Sequence, residues 1–431
     1  MGTSNSPISL DTLVVHAGRQ ADPVHGALRP PVYFSVAFEQ PGVDEAMERF
    51  RGHRKGYTYG RTGNPSSLPI EVALAELDGA AETVGFANGQ AAMNVIFNTL
   101  LRAGDEFLLS QHTFGGTHSF ATGAAVNFGW HAKLVNPIDA ASAEALVTDR
   151  TKFIMLETVS NPDGVVADLD GYAALARERG IPLILDNTLP TPYLLQAGKY
   201  ADIVWYSGTK YLNGHGTGMS GFVSDMGRFD WSASGRYPVV AAARGQDSPF
   251  VQSAPDAPFA AALRFKATSH GGILTPHEAF LTLCGIDTLA LRMTRQVDNA
   301  TQIAQFLSRH PAVESVQYSG LPDSPQYIRS QRYLPCGVGA LLSFNVRGGR
   351  DEAVAVAEST RLICYAANIG QTRSLIVHPF TTTHRQSEAQ RLLAGVRQNP
   401  LRLSVGIESP HDLIADLEQA LVRGAKSAPK P

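Results

Sequence analysis

The sequence predicts a two-domain α/β protein, with a large domain built on a mixed, mostly parallel sheet and a smaller α+β domain after it. Three observations carry that expectation. Helical and strand patterns alternate from residue 69 onward, polar clusters close successive strand patterns, and 431 residues are too many for one ordinary core. The change of texture sets the boundaries: residues 1–68 are an N-terminal arm, 69–272 the large domain and 273–431 the C-terminal domain.

The arm is rich in Pro, Gly and Arg and has only short apolar stretches, so it lacks a core of its own and is expected to pack on something else. Beyond it, PIEVALAELDG reads as a helix, QAAMNVIFNTLLRAG as an amphipathic helix ending at Gly104, and EFLLS as a short buried strand. TKFIMLET, IPLILD and DIVWYS read as further strands, with the helical LDGYAALARERG between the first two. Residues 229–272 read as a less regular stretch, and HEAFLTLCGIDTLALRMTRQVDNATQIAQFLSRH as one long helix linking the domains. The strands GALLSFNV and LRLSVGIE and a helix around AVAVAES complete the C-terminal domain, and the tail GAKSAPKP reads as frayed.

Composition narrows the function classes. With 44% hydrophobic residues, 17% charged residues and a formal net charge of −3, the chain has no bulk attraction for nucleic acid or an anionic membrane. No apolar run reaches the length of a membrane span, and the start MGTSNSPISLDTLVVHAG lacks the layout of a signal peptide. Cys284, Cys336 and Cys364 form no Cys-x-x-Cys pair, which points away from a disulfide framework or zinc site and toward a reducing cytoplasm. Small molecules and other subunits are the expected partners.

The strand patterns end in Glu157 to Asn161, in Asp186-Asn187-Thr188, and in Ser207 to Lys210. Ligands of open α/β sheets gather at strand carboxyl ends, so the three clusters predict one site. Asp186 closes an apolar strand, where a buried carboxylate asks for a cationic partner; taken alone it is more readily a turn cap. Lys210 lies between hydroxyls and glycines in SGTKYLNGHGTG, where phosphate and an aldehyde could be held together; taken alone it is an ordinary surface lysine. Gly89 and Gln90 open a helix in FANGQAAMN, where backbone N–H groups can meet a phosphate, or where Gly89 merely turns the chain.

The run DIVWYSGTKYLNGHG (202–216) resembles the pyridoxal 5′-phosphate (PLP) attachment signature of the Cys/Met-metabolism family, the fold type I group containing cystathionine γ-synthase, methionine γ-lyase and O-acetylhomoserine sulfhydrylase. Other landmarks follow the same order: YTYGRTGNPS, FANGQAA, FGGT, Asn161-Pro162, DNT and RLSVGIE. The resemblance implies a PLP-dependent transferase fold type I enzyme with Lys210 as Schiff-base lysine and Asp186 as partner of the pyridine nitrogen. Gly89, Gln90, Ser207 and Thr209 would hold the phosphate, joined by Tyr59 and Arg61 from a neighbouring subunit. Asn161 would meet the cofactor's phenolic oxygen, Phe114 would stack on its ring, and Arg402 with Asn368 would grip the substrate α-carboxylate. A homodimer is then the minimum active unit and a homotetramer the expected assembly.

Long runs resemble the sulfhydrylase branch, notably HEAFLTLCGIDTLALRMTRQVDNA, IVHPFTTTH and RLSVGIESPHDLIADLEQAL. Ala367 stands where cystathionine-cleaving members carry a glutamate. Phe114 stands where most members carry a tyrosine, so stacking is kept while a phenolic acid for the departing group is lost. A strongly basic thiolate needs such an acid and acetate does not. The expected reaction is therefore γ-replacement or γ-elimination on an O-substituted L-homoserine, O-acetyl-L-homoserine first, with sulfide or a thiol as co-substrate. Canavanine γ-lyase is the first alternative, and a methionine or cystathionine γ-lyase or a β-lyase the second. Asn88, His118, Ser119 and Gln371 also depart from the usual pattern.

Overall fold

A computed structural model describes residues 8–245, 247–382 and 400–426. The end of the predicted tail and the last two residues of IVHPFTTTH lie outside the described residues. The strands are β1 (Glu82–Phe86), β2 (Glu106–Ser110), β3 (His131–Val135), β4 (Thr151–Glu157), β5 (Leu183–Asp186), β6 (Ile203–Tyr206) and β7 (Gly221–Asp225), followed by β8 (Val313–Gln317), β9 (Leu341–Val346), β10 (Cys364–Tyr365), β11 (Leu375–Val377) and β12 (Pro400–Ser404). Strands β1 to β7 belong to a large mixed sheet and β8 to β12 to a smaller one.

The chain divides into two compact units. The first takes the chain through Leu100 together with Asp202–Asn213 and Thr217–Ala290; the second takes Leu101–Ala201, Gly214–Gly216 and the chain from Leu291 onward. In the first unit β7 runs antiparallel to both neighbours, with Phe222 opposite Gly85 of β1 and opposite Tyr206 of β6. In the second unit β2 pairs in parallel with β3 and β4, and β4 in parallel with β5. Strands β2 and β5 are buried at every position and β4 at every position but Lys152. Continuous burial of that kind produces the unbroken apolar runs FLL, FIML and LIL, because parallel strands are covered on both faces. The smaller sheet, in the order β10-β11-β12-β9-β8, also lies wholly in the second unit.

Local signals explain the helices that follow the predicted pattern. The helix Leu68–Asp78 ends at Gly79 and Leu169–Arg179 at Gly180, both in the left-handed conformation that glycine adopts without a Cβ penalty. Asp168 starts the second of these by accepting a hydrogen bond from Gly171 N at 3.3 Å.

Three expectations need correction. The helix expected to end at Gly104 ends at Leu100. The less regular stretch 229–272 contains a thirteen-residue helix, Pro258–His270. Its cap is remote in sequence: Asp225, at the end of β7, accepts from Phe259 N and Ala260 N, both at 3.0 Å. A carboxylate there meets the positive end of the helix dipole, and no local pattern announces it. The predicted long helix is two helices, Pro276–Asp287 and Leu289–Arg309, separated at Thr288 with φ −106° and ψ 9°. A continuous apolar period had concealed the break.

Candidate functional site

The second unit places two carboxylates at the ends of adjacent parallel strands. Glu157 ends β4 and Asp186 ends β5, and they are direct register partners. Both are buried. Burial pushes the Asp186 carboxyl up to about 6, against the pull of hydrogen bonds from Thr188, whose N–H donates at 2.9 Å. Glu157 is pushed upward first by burial and then by the Asp186 charge.

Glu157 is also the centre of a hydrogen-bond network. One carboxylate oxygen accepts from Thr113 Oγ1 at 2.9 Å and from Phe114 N at 2.5 Å; the other accepts from Asn161 N at 3.0 Å. Asn161 Oδ1 in turn accepts from Arg402 Nη1 at 3.1 Å, and Arg402 Nη2 donates to the Asn368 carbonyl at 3.3 Å. Arg402 is buried in β12, opposite Ser343 of β9 and Val377 of β11. The structure thus brings Phe114, Asn161, Asn368 and Arg402 together through one carboxylate. Sequence reading placed Glu157 in a polar cluster without giving it a task and passed over Thr113. The available signal was a glutamate closing the apolar run FIML, parallel in character to Asp186.

A second link ties the same loops. His112 Nδ1 and Asp163 Oδ2 lie 2.6 Å apart, and Ser160 Oγ donates to the other Asp163 oxygen. The Asn161-Pro162 peptide is cis.

The first unit carries the lysine cluster. Lys210 N bonds back to the Ser207 carbonyl at 3.1 Å, and Thr209 N and Oγ1 both donate to the Ser220 carbonyl, forming a compact turn after β6. Gly89 opens the helix Gly89–Leu100 beside this turn, where a Cβ would come within 3.0 Å of Ser207 Cβ. Gly221 has the same constraint from the other side, since a Cβ there would lie 2.3 Å from the Asn88 carbonyl oxygen. Gln90 is exposed. Tyr59 and Arg61 are exposed neighbours: the Arg61 guanidinium sits 5.5 Å from the Tyr59 ring centroid and donates to the Thr268 carbonyl.

The departures from the expected pattern fall in distinct places. Asn88 accepts from Ala91 N at 2.8 Å and so caps its own helix. Gln371 Oε1 lies where a Cβ on Gly216 would come within 2.3 Å. His118 is buried, and burial holds its imidazole below the usual pKa; Ser119 is exposed.

Comparison with known proteins decides the family. A family model described as "Cys/Met metabolism PLP-dependent enzyme" matches residues 11–422. The chain belongs to that family. It is 37% identical over 427 residues to the O-acetyl-L-homoserine sulfhydrylase of Corynebacterium glutamicum, covering 95% of each chain. It is 35% identical to the L-methionine gamma-lyase of Pseudomonas putida, covering 99% of this chain and all of that one. A Campylobacter jejuni structure assigned as an O-acetylhomoserine (thiol)-lyase, containing N′-pyridoxyl-lysine-5′-monophosphate, superposes with a TM-score of 0.92 at 31% identity, covering 96% of this chain and all of that one.

The residues present fit the Cys/Met-metabolism family's cofactor. Two buried carboxyls raised by their surroundings are the arrangement that a protonated pyridine nitrogen relieves. In the other unit, a glycine at a helix start beside the Ser207 side chain offers the backbone N–H groups and a hydroxyl that a phosphate needs.

Proposed function

We propose that this enzyme catalyses γ-replacement on O-acetyl-L-homoserine, with hydrosulfide replacing the acetoxy group to give homocysteine and acetate. The observation that carries this reading is Phe114. It lies at the end of a Glu157-anchored loop and offers a flat ring without a hydroxyl, which suits a weakly basic oxygen leaving group. Similarity to the Corynebacterium sulfhydrylase over nearly the whole chain supports the same choice.

When bound, PLP withdraws electrons from the amino acid and so acidifies its α- and β-protons. Lys210 would hold the cofactor and, once displaced by the substrate amine, would take up and relay the substrate's α-proton. Asp186 is the anionic partner of the ring nitrogen, and its burial strengthens that pairing. Gly89, Gln90, Ser207 and Thr209 hold the phosphate, and Tyr59 and Arg61 complete the phosphate site of an adjoining subunit. Arg402, oriented by Asn161 and the Asn368 carbonyl, grips the α-carboxylate. Acetate departs as the anion and needs no proton from the protein.

The subunits assemble as a homodimer at minimum, and as a homotetramer of two such dimers. The arm supports this by exposing Leu28, Phe34, Val43 and Phe50, each more than two-thirds accessible. Cys284, Cys336 and Cys364 are free thiols, which suits the reducing cytoplasm.

The second reading, canavanine γ-lyase, rests on the same ring: hydroxyguanidine leaves as a neutral group and also needs no phenolic acid. The test is incubation of the PLP-loaded enzyme with O-acetylhomoserine, O-succinylhomoserine, canavanine and methionine, with and without sulfide, and mass identification of products. Homocysteine formed only with sulfide supports the sulfhydrylase. Homoserine with hydroxyguanidine from canavanine supports the second reading, and rapid 2-oxobutyrate from methionine overturns both.

A further inference from the structure

The first half of the strand-end network has an unusual economy. Glu157 accepts three donors from two segments, each carrying a different part of the binding machinery. Thr113 Oγ1 and Phe114 N fix the backbone from which the Phe114 ring projects. Asn161 N fixes the residue whose side-chain oxygen holds Arg402, 241 positions later in the chain. Glu157 itself is buried at the end of β4, in register with Asp186.

We infer that Glu157 is a positioning residue that sets the ring-stacking Phe114 and the carboxylate-gripping Arg402 together, one through each carboxylate oxygen. The inference rests on the PLP reading above for what Phe114 and Arg402 touch; the linkage itself is in the hydrogen bonds. A carboxylate is suited to this task because both its oxygens only accept, and all three of its partners donate to it, two of them backbone N–H groups that can only donate. Burial makes it costly to leave any of the three donors unsatisfied. The three hydrogen bonds of Glu157 all go to residues that position others, so its role is positioning rather than catalytic.

The two arms can be separated by substitution. In Glu157→Gln the carboxamide oxygen can still accept from Thr113 and Phe114, but its NH2 group then faces the Asn161 N–H, donor against donor. Thr113→Val does the reverse, removing one donor on the Phe114 side and leaving the Asn161 bond intact. The readouts are the dissociation constant and induced circular dichroism of bound PLP for the stacking arm, and the affinity for glycine for the Arg402 arm. Glycine is an amino acid with an α-carboxylate and no γ-substituent, and its binding is followed by the change in PLP absorbance. The midpoint of thermal unfolding is recorded for each protein.

For Glu157→Gln, glycine affinity should fall on the order of 10-fold or more, the size of one charged hydrogen bond, with PLP affinity changed less than about 3-fold. For Thr113→Val the pattern should invert: the PLP signal and affinity change while glycine affinity holds. Unchanged glycine affinity in Glu157→Gln overturns the assignment, as does a parallel loss of every parameter in both variants alongside a lowered unfolding midpoint. If Glu157→Gln does not fold, Thr113→Val decides alone, and wild-type PLP affinity and dichroism in that variant overturn the proposal. If the wild-type chain binds no PLP, the cofactor reading falls and the inference falls with it. A wild-type chain that binds PLP beside an unaltered Glu157→Gln removes the inference only.

Discussion

At the residue scale, Phe114 and Lys210 divide the question between them. In the proposed function Lys210 bears on the cofactor, and Phe114 on which bond is broken. The missing hydroxyl gives a direct expectation: Phe114→Tyr restores a phenolic acid of ordinary pKa near 10, so it should raise kcat/KM for methionine by about 10-fold or more relative to wild type. Turnover of O-acetylhomoserine should stay within about 3-fold, since acetate needs no such proton. Steady-state assays of both substrates check this, and an equal change on both would mean that the hydroxyl acts by packing alone.

At the element scale, the ends of β4 and β5 hold two buried carboxyls whose pKa values are raised in the fold. Through Asp186, raised to about 6, the native state then binds more protons than the unfolded chain between the ordinary carboxylate range, roughly pH 4, and about pH 6. Stability of the PLP-free protein should therefore fall as pH rises through that window. Buried Asp78 and Asp225, each raised by burial to about 6, add to the same slope. Because a cationic ring partner relieves the charge at Asp186, the stabilisation given by PLP should grow from pH 5 to pH 8. Thermal unfolding with and without PLP at both pH values measures it, and a constant PLP increment would contradict it.

The turn at Asn88-Gly89 gives a second expectation at this scale. Gly221 on β7 faces the Asn88 carbonyl, and a Cβ there would come within 2.3 Å of it. Backbone atoms cannot yield as a side-chain tip can, so Gly221→Ala should displace the start of the helix Gly89–Leu100. Overpacking of this kind costs about 1–3 kcal/mol. The affinity for PLP should drop along with the unfolding midpoint, as titration of the cofactor absorbance would reveal.

At the scale of the whole molecule, the arm exposes large apolar side chains, and Tyr59 and Arg61 sit on it, also exposed. If these two residues complete a neighbour's phosphate site, two dead variants should rescue one another. Arg61→Ala and Lys210→Ala, unfolded and refolded together, would place one intact site in each mixed dimer. Activity of an equal mixture should then recover to about a quarter of the wild-type value by random pairing. A mixture as inactive as its components, with dimers verified by light scattering, would return Arg61 to its own subunit.

Legibility in the sequence followed the range of each interaction. The strands EFLLS, TKFIMLET and IPLILD were visible because burial on both faces writes an unbroken apolar run, and the helix ends at Gly79 and Gly180 because a left-handed residue selects glycine. The helix Pro258–His270 was missed because its cap, Asp225, is supplied from another element. The break at Thr288 was missed because apolar periodicity continued across it.

By itself the sequence determined the α/β class, the order of the strand-end clusters, and the family resemblance centred on Lys210 and Asp186, since these rest on local period and on side-chain chemistry at fixed spacing. Only the tertiary structure decided that Glu157 carries Thr113, Phe114 and Asn161, and that Asn161 holds Arg402. Apart from the local Glu157–Asn161 bond, these hydrogen bonds join residues tens to hundreds of positions apart and leave no period in the chain, and they become definite only when the fold brings the buried donors and acceptors together.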